Sequence, residues 1–391
     1  MPRPPLLALA ACLALPAQAQ TYADCEGPGW QEKSDAAFAA DCVAMAFEGD
    51  LAHRQRLAWL FFARINQPIP AKAGTGIDGG DWVPQWLGWP TDPDTFATRL
   101  PFPFDNTPRA TMKPSVEKKA LEAGRITRED PDGSNEEVTR NRIAYDYLIE
   151  AGLTTKRDVD TFFKDKNMVD MPVGSVELKA SWMRLEPDQQ APDGAITYTF
   201  TGGTYYFRGL HIMVKMQSLT NPEDIFYSEE PSWFWTTFEF NGDPGVDHIR
   251  ETFITQRAPL DLETEIKPIL AEAGIAGLGF ESYAPNGTQI RFTVDGDGSE
   301  PVILGHSHME DFAGGPNTAQ PQYWTQFEAS CHSCHATASY NPKTGLFFPF
   351  SVPKGVLSRT YNNVDTTQLA HYLSQGYRPL DFMWPIAFQA R

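Results

Sequence analysis

The sequence contains little cysteine and, beyond its first residues, no long apolar run. Only 5 of the 391 residues are cysteine, which excludes a small disulfide-dense scaffold. No later window approaches the ~18 uninterrupted apolar residues of a membrane-spanning helix, so we predict no transmembrane segment. Basic residues are also scarce, and the formal net charge is −18. Because phosphate binding needs a basic surface, this charge excludes nucleic acid as a partner.

The first 19 residues have the pattern of a secretory signal peptide. Arg3 precedes an apolar run over residues 6–15, and the small-residue pattern at 17–19 is what a signal peptidase cuts. Cleavage after Ala19 is favoured over a lipid anchor at Cys12, because the earlier cut would leave a very short apolar segment. We therefore expect a secreted or periplasmic protein.

The remaining cysteines form two pairs that lie far apart in the sequence. Cys25 and Cys42 are one pair, and Cys331 and Cys334 are the other. In an oxidising compartment, an isolated pair such as Cys25 and Cys42 is expected to form a disulfide.

Hydrophobic periodicity predicts an α+β fold with three regions after the signal peptide. Residues 20–172 are mainly helical in pattern, with apolar positions three or four apart over residues 35–66. Residues 173–315 alternate apolar and polar side chains in short runs separated by turns, which is typical of antiparallel sheet. Residues 316–391 are expected to form a small α-helical C-terminal region.

Two local signals give more specific expectations. Ser134 followed by Glu137 resembles a capping box, which predicts a helix that runs on to Glu150. In the C-terminal region, a helix is expected to begin at Pro321 and to continue into the segment with Cys331 and Cys334.

The second cysteine pair belongs to Cys331-His332-Ser333-Cys334-His335, a Cys-x-x-Cys-His motif typical of c-type haem attachment. Two thiols three residues apart lie on one side of a helical turn, so both can react with the vinyl groups of one porphyrin. His335 is then placed to ligate the iron, and His332 is a spacer. A structural zinc site, a redox-active dithiol and a plain disulfide are the alternatives. We favour haem, which makes 316–391 a cytochrome c-like region.

The second axial ligand is less clearly indicated. Met383 lies at a downstream distance where small cytochromes often place a distal methionine, although only eight residues follow it. His211, in an apolar strand, is the alternative, and an iron with an open site is a further possibility. Other candidates are Met213, His306, His308, Met309 and His371, of which His306 and His308 are expected to be exposed.

Three segments beside the haem motif resemble a family of secreted bacterial cytochrome c proteins. They are residues 176–182, residues 209–212 with Lys215, and residues 233–239. The resemblance extends from about Trp59 onward and implies secretion and one covalent haem, with no settled substrate. Relatives often have histidine where this chain has Phe240.

These features favour a periplasmic monohaem c-type cytochrome that transfers electrons to a redox partner protein. The alternative is a haem enzyme of peroxidase or oxygenase type, in which the β-rich region covers an open distal site and Glu177, Lys179, His211 and Lys215 are the polar groups. For Glu177 and the two lysines, an ion-paired strand surface is the simpler interpretation. In a third hypothesis, Trp233 and Trp235 stack on an organic ligand.

Overall fold

The computed structural model describes most of the chain between residues 22 and 390. The described ranges are 22–72, 76–77, 80–96, 102–105, 107–113, 134–165, 168–220, 231–243, 246, 250, 258–290, 304–307, 309, 316–317, 320–324, 331–336, 338–347 and 374–390. The predicted signal peptide, Cys12, His308 and His371 lie outside them.

An antiparallel sheet is the centre of the fold. Its strands are β3 (Ser134–Arg140), β4 (Val176–Arg184), β6 (Gly203–Lys215), β7 (Trp233–Phe240) and β8 (Tyr283–Gln289), in that spatial order, and β5 (Thr197–Phe200) also pairs with β6. The aromatic and β-branched residues that dominate β7 are good strand formers. The prediction of a mixed α+β fold is confirmed.

The N-terminal helices pack on one face of this sheet. They are α1 (Asp35–Asp41), α2 (Val43–Phe47) and α3 (Leu51–Ile65), within the stretch predicted to be helical. Asp50 caps α3 by accepting a hydrogen bond from the His53 backbone N–H at 2.9 Å. Phe62 of α3 stacks on Phe238 of β7 at 4.0 Å between ring centroids, a contact that adds about 1 kcal/mol to area burial.

The predicted disulfide is present in this helical layer. Cys25 and Cys42 are bonded, with 4.6 Å between their Cα atoms, and both side chains are fully buried. The bond ties the segment before α1 to the junction between α1 and α2.

The opposite face of the sheet carries the C-terminal segment. Side chains alternate along each strand, so Leu210 and Ile212 join the N-terminal core while Met213 joins a second apolar cluster. In that cluster, Met213 and Trp235 of the sheet lie with Cys331 and residues 380–386. The sheet therefore separates two cores, and its second face meets the Cys-x-x-Cys-His motif.

The C-terminal segment combines short helices and strands. It contains α8 (Cys331–Ala336) and α9 (Trp384–Gln389), with a small antiparallel sheet of β11 (Ser339–Asn341), β12 (Leu346–Phe347) and β13 (Arg378–Pro379). The sequence did not indicate this small sheet. The other described elements are β1 (Pro68–Pro70), β2 (Trp82–Pro84), α4 (Asp92–Thr95), α5 (Arg142–Glu150), α6 (Lys156–Asp165), α7 (Lys267–Glu272), β9 (Pro316–Asn317) and β10 (Gln320–Trp324).

Two helix predictions were wrong in extent. Ser134 does not cap a helix, because residues 134–140 pair with β4 along their whole length; Asn141 is the cap of α5 and accepts from the Ala144 N–H at 3.1 Å. Long-range strand pairing overrides the local capping pattern. Residues 320–324 are likewise a strand rather than the start of the motif helix, consistent with Pro321, which favours extended backbone at the residue before it.

Within the described ranges, none of the helices combines the length and apolar character needed to cross a membrane.

Candidate functional site

The Cys-x-x-Cys-His motif forms the short helix α8 on the second face of the sheet, the face that carries the second apolar core. The Cys331 thiol is buried and lies 3.3 Å from the carbonyl oxygen of Leu304. The backbone N–H of His332 donates to Oε1 of Gln289, the last residue of β8, at 3.0 Å. Cys334 lies in the same helix, but its side chain is outside the described part. Contacts from the sheet and from residue 304 thus hold the start of the motif.

His335 is held in one tautomer by the chain that precedes α9. Its Nδ1 lies 2.8 Å from the carbonyl oxygen of Phe382, and a carbonyl can only accept, so Nδ1 carries the proton. Burial lowers the pKa of His335 to about 4, which keeps the imidazole neutral near pH 7. A neutral ring protonated at Nδ1 leaves the Nε2 lone pair available for a metal.

Aromatic rings surround the two histidines of the motif. Trp235 of β7 packs edge-on against His335, with 4.7 Å between ring centroids, and Phe382 lies 4.6 Å from His332. His332 is itself buried, and burial lowers its pKa to about 3. Aromatic side chains therefore line this side of the two histidines, while His335 itself is half-buried.

The described residues suit the haem that the motif implies. They supply a neutral imidazole with a free Nε2 lone pair, an aromatic wall and a buried thiol. The buried indole N–H of Trp235 has no acceptor within the described part of the chain. Such a donor is suited to an anionic oxygen, and haem carries two carboxylates.

Met383, the expected distal ligand, adjoins the proximal histidine in an unexpected way. It is fully buried and directly follows Phe382, whose carbonyl contacts the Nδ1 edge of His335. That edge faces away from Nε2, the nitrogen that would ligate iron. Met383 also belongs to the second apolar core. This placement does not favour Met383 as the ligand on the opposite haem face.

His211, the alternative ligand, lies on the same face of the sheet as Met213. Lys179, His211 and Thr237 are cross-strand neighbours on β4, β6 and β7, and Nδ1 of His211 lies 2.6 Å from Oγ1 of Thr237. His211 is half-buried. His211 and Lys179 both contribute to lowering the pKa of His335, so the three groups lie in one neighbourhood.

The sequence predicted that His306 is exposed, because it lies in a loop. In the structure it is completely buried. Its Nδ1 lies 2.8 Å from Oε1 of Glu239, and its ring centroid is 5.8 Å from that of His211. Glu239 is also buried and accepts from the Ser307 hydroxyl at 2.8 Å and from Asn286 Nδ2 at 2.9 Å. The reason is tertiary, because the 304–307 segment packs against the sheet beside Gly209 and Glu239.

Gly209 is the one local signal for this contact. A Cβ atom at this position would lie 2.1 Å from the Phe238 carbonyl oxygen and 2.7 Å from His306 Nε2. Only glycine leaves room for His306 to approach the strand.

The charged strand residues considered for the enzyme hypothesis form ion pairs. Lys179 pairs with Glu136 at 3.1 Å, and Glu177 with Arg140 at 3.3 Å. Lys215 is completely buried and pairs with Asp381 at 2.8 Å. Neither Asp381 nor Phe382 was singled out from the sequence, since no motif marks them.

Among the described residues, no group of three or more His, Cys, Asp or Glu side chains is arranged to hold a metal ion. Comparison with protein families, with curated proteins and with solved structures found no significant match.

Proposed function

We propose that this protein is a periplasmic monohaem c-type cytochrome. Cys331 and Cys334 would hold one haem covalently, and His335 would be the proximal iron ligand. The observation that carries the proposal is the hydrogen bond from His335 Nδ1 to the Phe382 carbonyl. Metal-ligating histidines usually donate their other ring N–H to a carbonyl or carboxylate, which fixes the tautomer.

The haem would supply one-electron chemistry between its ferric and ferrous states. The chain's own residues would orient and shield it. Phe382 holds the imidazole through its carbonyl, while Trp235 packs on the ring and limits access of water. A shielded site favours electron transfer to a redox partner protein, and the cleaved signal peptide would place both in the periplasm.

Covalent attachment is the most direct test of this proposal. The pyridine haemochrome spectrum of the purified, exported protein should show one covalent haem per chain. Cys331→Ser should weaken or abolish attachment. The matched control removes the other cysteine pair, Cys25→Ser with Cys42→Ser, and should keep the haem content. A wild-type chain without covalent haem, or an unchanged Cys331→Ser variant, would contradict the proposal.

Two alanine variants distinguish His211 from Met383 as the distal ligand. We expect His211→Ala to alter the axial-ligand bands of the ferric spectrum, because His211 is half-buried near His335 on the sheet. Met383→Ala should leave those bands in place, since the preceding carbonyl contacts the proximal histidine. The reverse pattern would assign Met383 as the ligand.

A haem enzyme with an open distal site is the second candidate function. It is favoured by two polar groups near His335, namely His211 and Lys179. The buried His306–Glu239 pair adjoins His211, with 5.8 Å between the two imidazole centroids. Carbon monoxide binding to the reduced protein distinguishes the two functions. A high-spin spectrum with ready binding would support the enzyme and contradict the closed electron carrier.

A further inference from the structure

We propose that the buried Lys215–Asp381 ion pair is a positioning device, which aims the Phe382 carbonyl at the proximal histidine and thereby sets the redox potential. The inference rests on the proposed haem site. It assigns a role to two residues that neither the motif nor the covalent attachment requires.

Asp381 is bound on both of its carboxylate oxygens. Lys215 Nζ donates to Oδ1 at 2.9 Å and to Oδ2 at 2.8 Å. Trp233 Nε1 donates to Oδ1 at 2.9 Å, and the Met171 backbone N–H donates to Oδ2 at 2.6 Å. With 1% of its surface exposed, Asp381 is held by donors from three separate segments of the chain.

Two of those donors come directly from the central sheet. Lys215 and Trp233 are cross-strand partners on β6 and β7, and the Lys215 ammonium lies 5.5 Å from the centre of the Trp233 ring. Asp170 provides a second carboxylate 3.1 Å from the ammonium. The sheet therefore presents a rigid, preformed site for the Asp381 carboxylate.

The backbone at this point adopts a conformation that it would not choose by itself. Asp381 and Phe382 have φ values of 47° and 67°, and consecutive non-glycine residues in the left-handed region persist only where their surroundings hold them. The ion pair provides that restraint. It fixes residue 381 and so directs the next carbonyl, that of Phe382, to His335 Nδ1.

The contact matters because it controls how strongly His335 donates to iron. A hydrogen bond from Nδ1–H to a carbonyl makes the imidazole more basic, which favours the ferric state. If the turn relaxes, this bond weakens, and the midpoint potential should rise. Loss of such outer contacts typically changes metal affinity or activity 10–100-fold, and we take the lower limit for the redox equilibrium. We expect about a tenfold change in the ferric-to-ferrous ratio at fixed potential, equivalent to about 59 mV for one electron.

The experiment must separate positioning from simple electrostatics, because loss of a buried negative charge also raises the potential. The double variant Lys215→Met with Asp381→Asn removes one charge of each sign and keeps the net charge. Asp170 loses its ammonium partner, but its side chain is 35% exposed and stays in contact with water. Positioning predicts a raised midpoint potential and an upfield shift of the His335 Nδ1–H proton resonance in the NMR spectrum of the reduced protein, because the hydrogen bond to the Phe382 carbonyl is weaker. A double variant with wild-type values in both measurements would overturn the proposal.

A matched control tests whether any buried ion pair has this effect. Glu137→Gln breaks the bidentate pair with Arg109, whose closest N–O distance is 2.8 Å and whose side chains are as buried. Glu137 pairs with Ala180, which belongs to the N-terminal core on the other face of the sheet. This variant should keep the wild-type midpoint potential; a shift equal to that of the double variant would refute a specific role for Asp381.

Two further measurements keep the result clear if the double variant does not fold or the chain carries no haem. Trp233→Phe removes a single donor to Asp381 and should shift the potential in the same direction by less.

The ring ¹⁵N spectrum of His335 reports the Nδ1–H contact without iron. A wild-type Nδ1–H tautomer that is lost in the variants would support the positioning role even where the proposed haem function fails. An unchanged tautomer would refute it.

Discussion

Replacing either member of the buried Lys215–Asp381 pair should lower the free energy of unfolding of the protein. The Lys215 side chain is fully buried and Asp381 is 1% exposed. Removing one member of such a pair leaves an uncompensated buried charge, which costs about 3–5 kcal/mol. In each single variant the remaining charge keeps other partners, so we expect each variant to lose about 3 kcal/mol of stability, the lower end of this range. Asp381 keeps the Trp233 and Met171 donors in Lys215→Met, and Lys215 keeps Asp170 in Asp381→Asn.

The double variant should lose far less stability than the two single variants together. Two single losses of about 3 kcal/mol would sum to about 6 kcal/mol if they were independent. Removing both charges leaves only the partly exposed Asp170 without its ammonium partner, so we expect a loss of about 3 kcal/mol, mainly from the lost hydrogen bonds. The coupling free energy should therefore be about 3 kcal/mol.

Urea unfolding of the wild type, both single variants and the double variant measures this coupling. The exposed pair Arg142–Asp146, at 3.3 Å and with side chains 68% and 45% exposed, is the control cycle and should give a coupling below about 1 kcal/mol. If the losses at Lys215 and Asp381 add to within about 0.5 kcal/mol, the two residues do not act as a buried pair and the positioning argument fails.

Three further perturbations test other parts of the fold. Replacing Cys25 and Cys42 together by serine should lower the free energy of unfolding by about 3 kcal/mol, because the bond closes a loop with a sequence separation of 17; an unchanged urea midpoint would contradict this. Gly209→Ala should cost at least about 1 kcal/mol, since φ is 150° and a Cβ would lie 2.1 Å from the Phe238 carbonyl oxygen; wild-type thermal stability would refute the close approach. Burial raises the pKa of Tyr147 to about 12, above the unfolded value of about 10, so its contribution to stability is complete below pH ~10 and is lost as the pH rises toward ~12. Tyr147→Phe should therefore flatten the alkaline decline in urea midpoint, and parallel curves for the two proteins would show that this tyrosine is not responsible.

Local pattern was sufficient for features whose cause lies within a few residues. Apolar spacing over residues 35–66 predicted the N-terminal helices, and alternation between 173 and 304 predicted strands such as β4 and β6. The isolated pair Cys25 and Cys42 predicted its disulfide. In each case neighbouring residues determine the result, because period and proximity are visible along the chain.

Strand pairing was beyond the reach of local pattern. Residues 134–140 have a capping box but form a strand, because seven residues find partners on β4. His306 lies in a loop and is buried, because Gly209 and Glu239, each far away in sequence, create space and a hydrogen-bond partner for it.

The sequence by itself determined the chemistry of the candidate site: two cysteines and a histidine at a spacing that suits one haem. Only the tertiary structure decided what surrounds His335. It brings Phe382 to the Nδ1 edge, packs Trp235 on the ring and holds Asp381 through Lys215 on the sheet. The motif specifies the spacing of neighbouring residues along the chain. The tautomer of His335, its shielding from water and the choice of a second ligand depend on groups that only folding brings together.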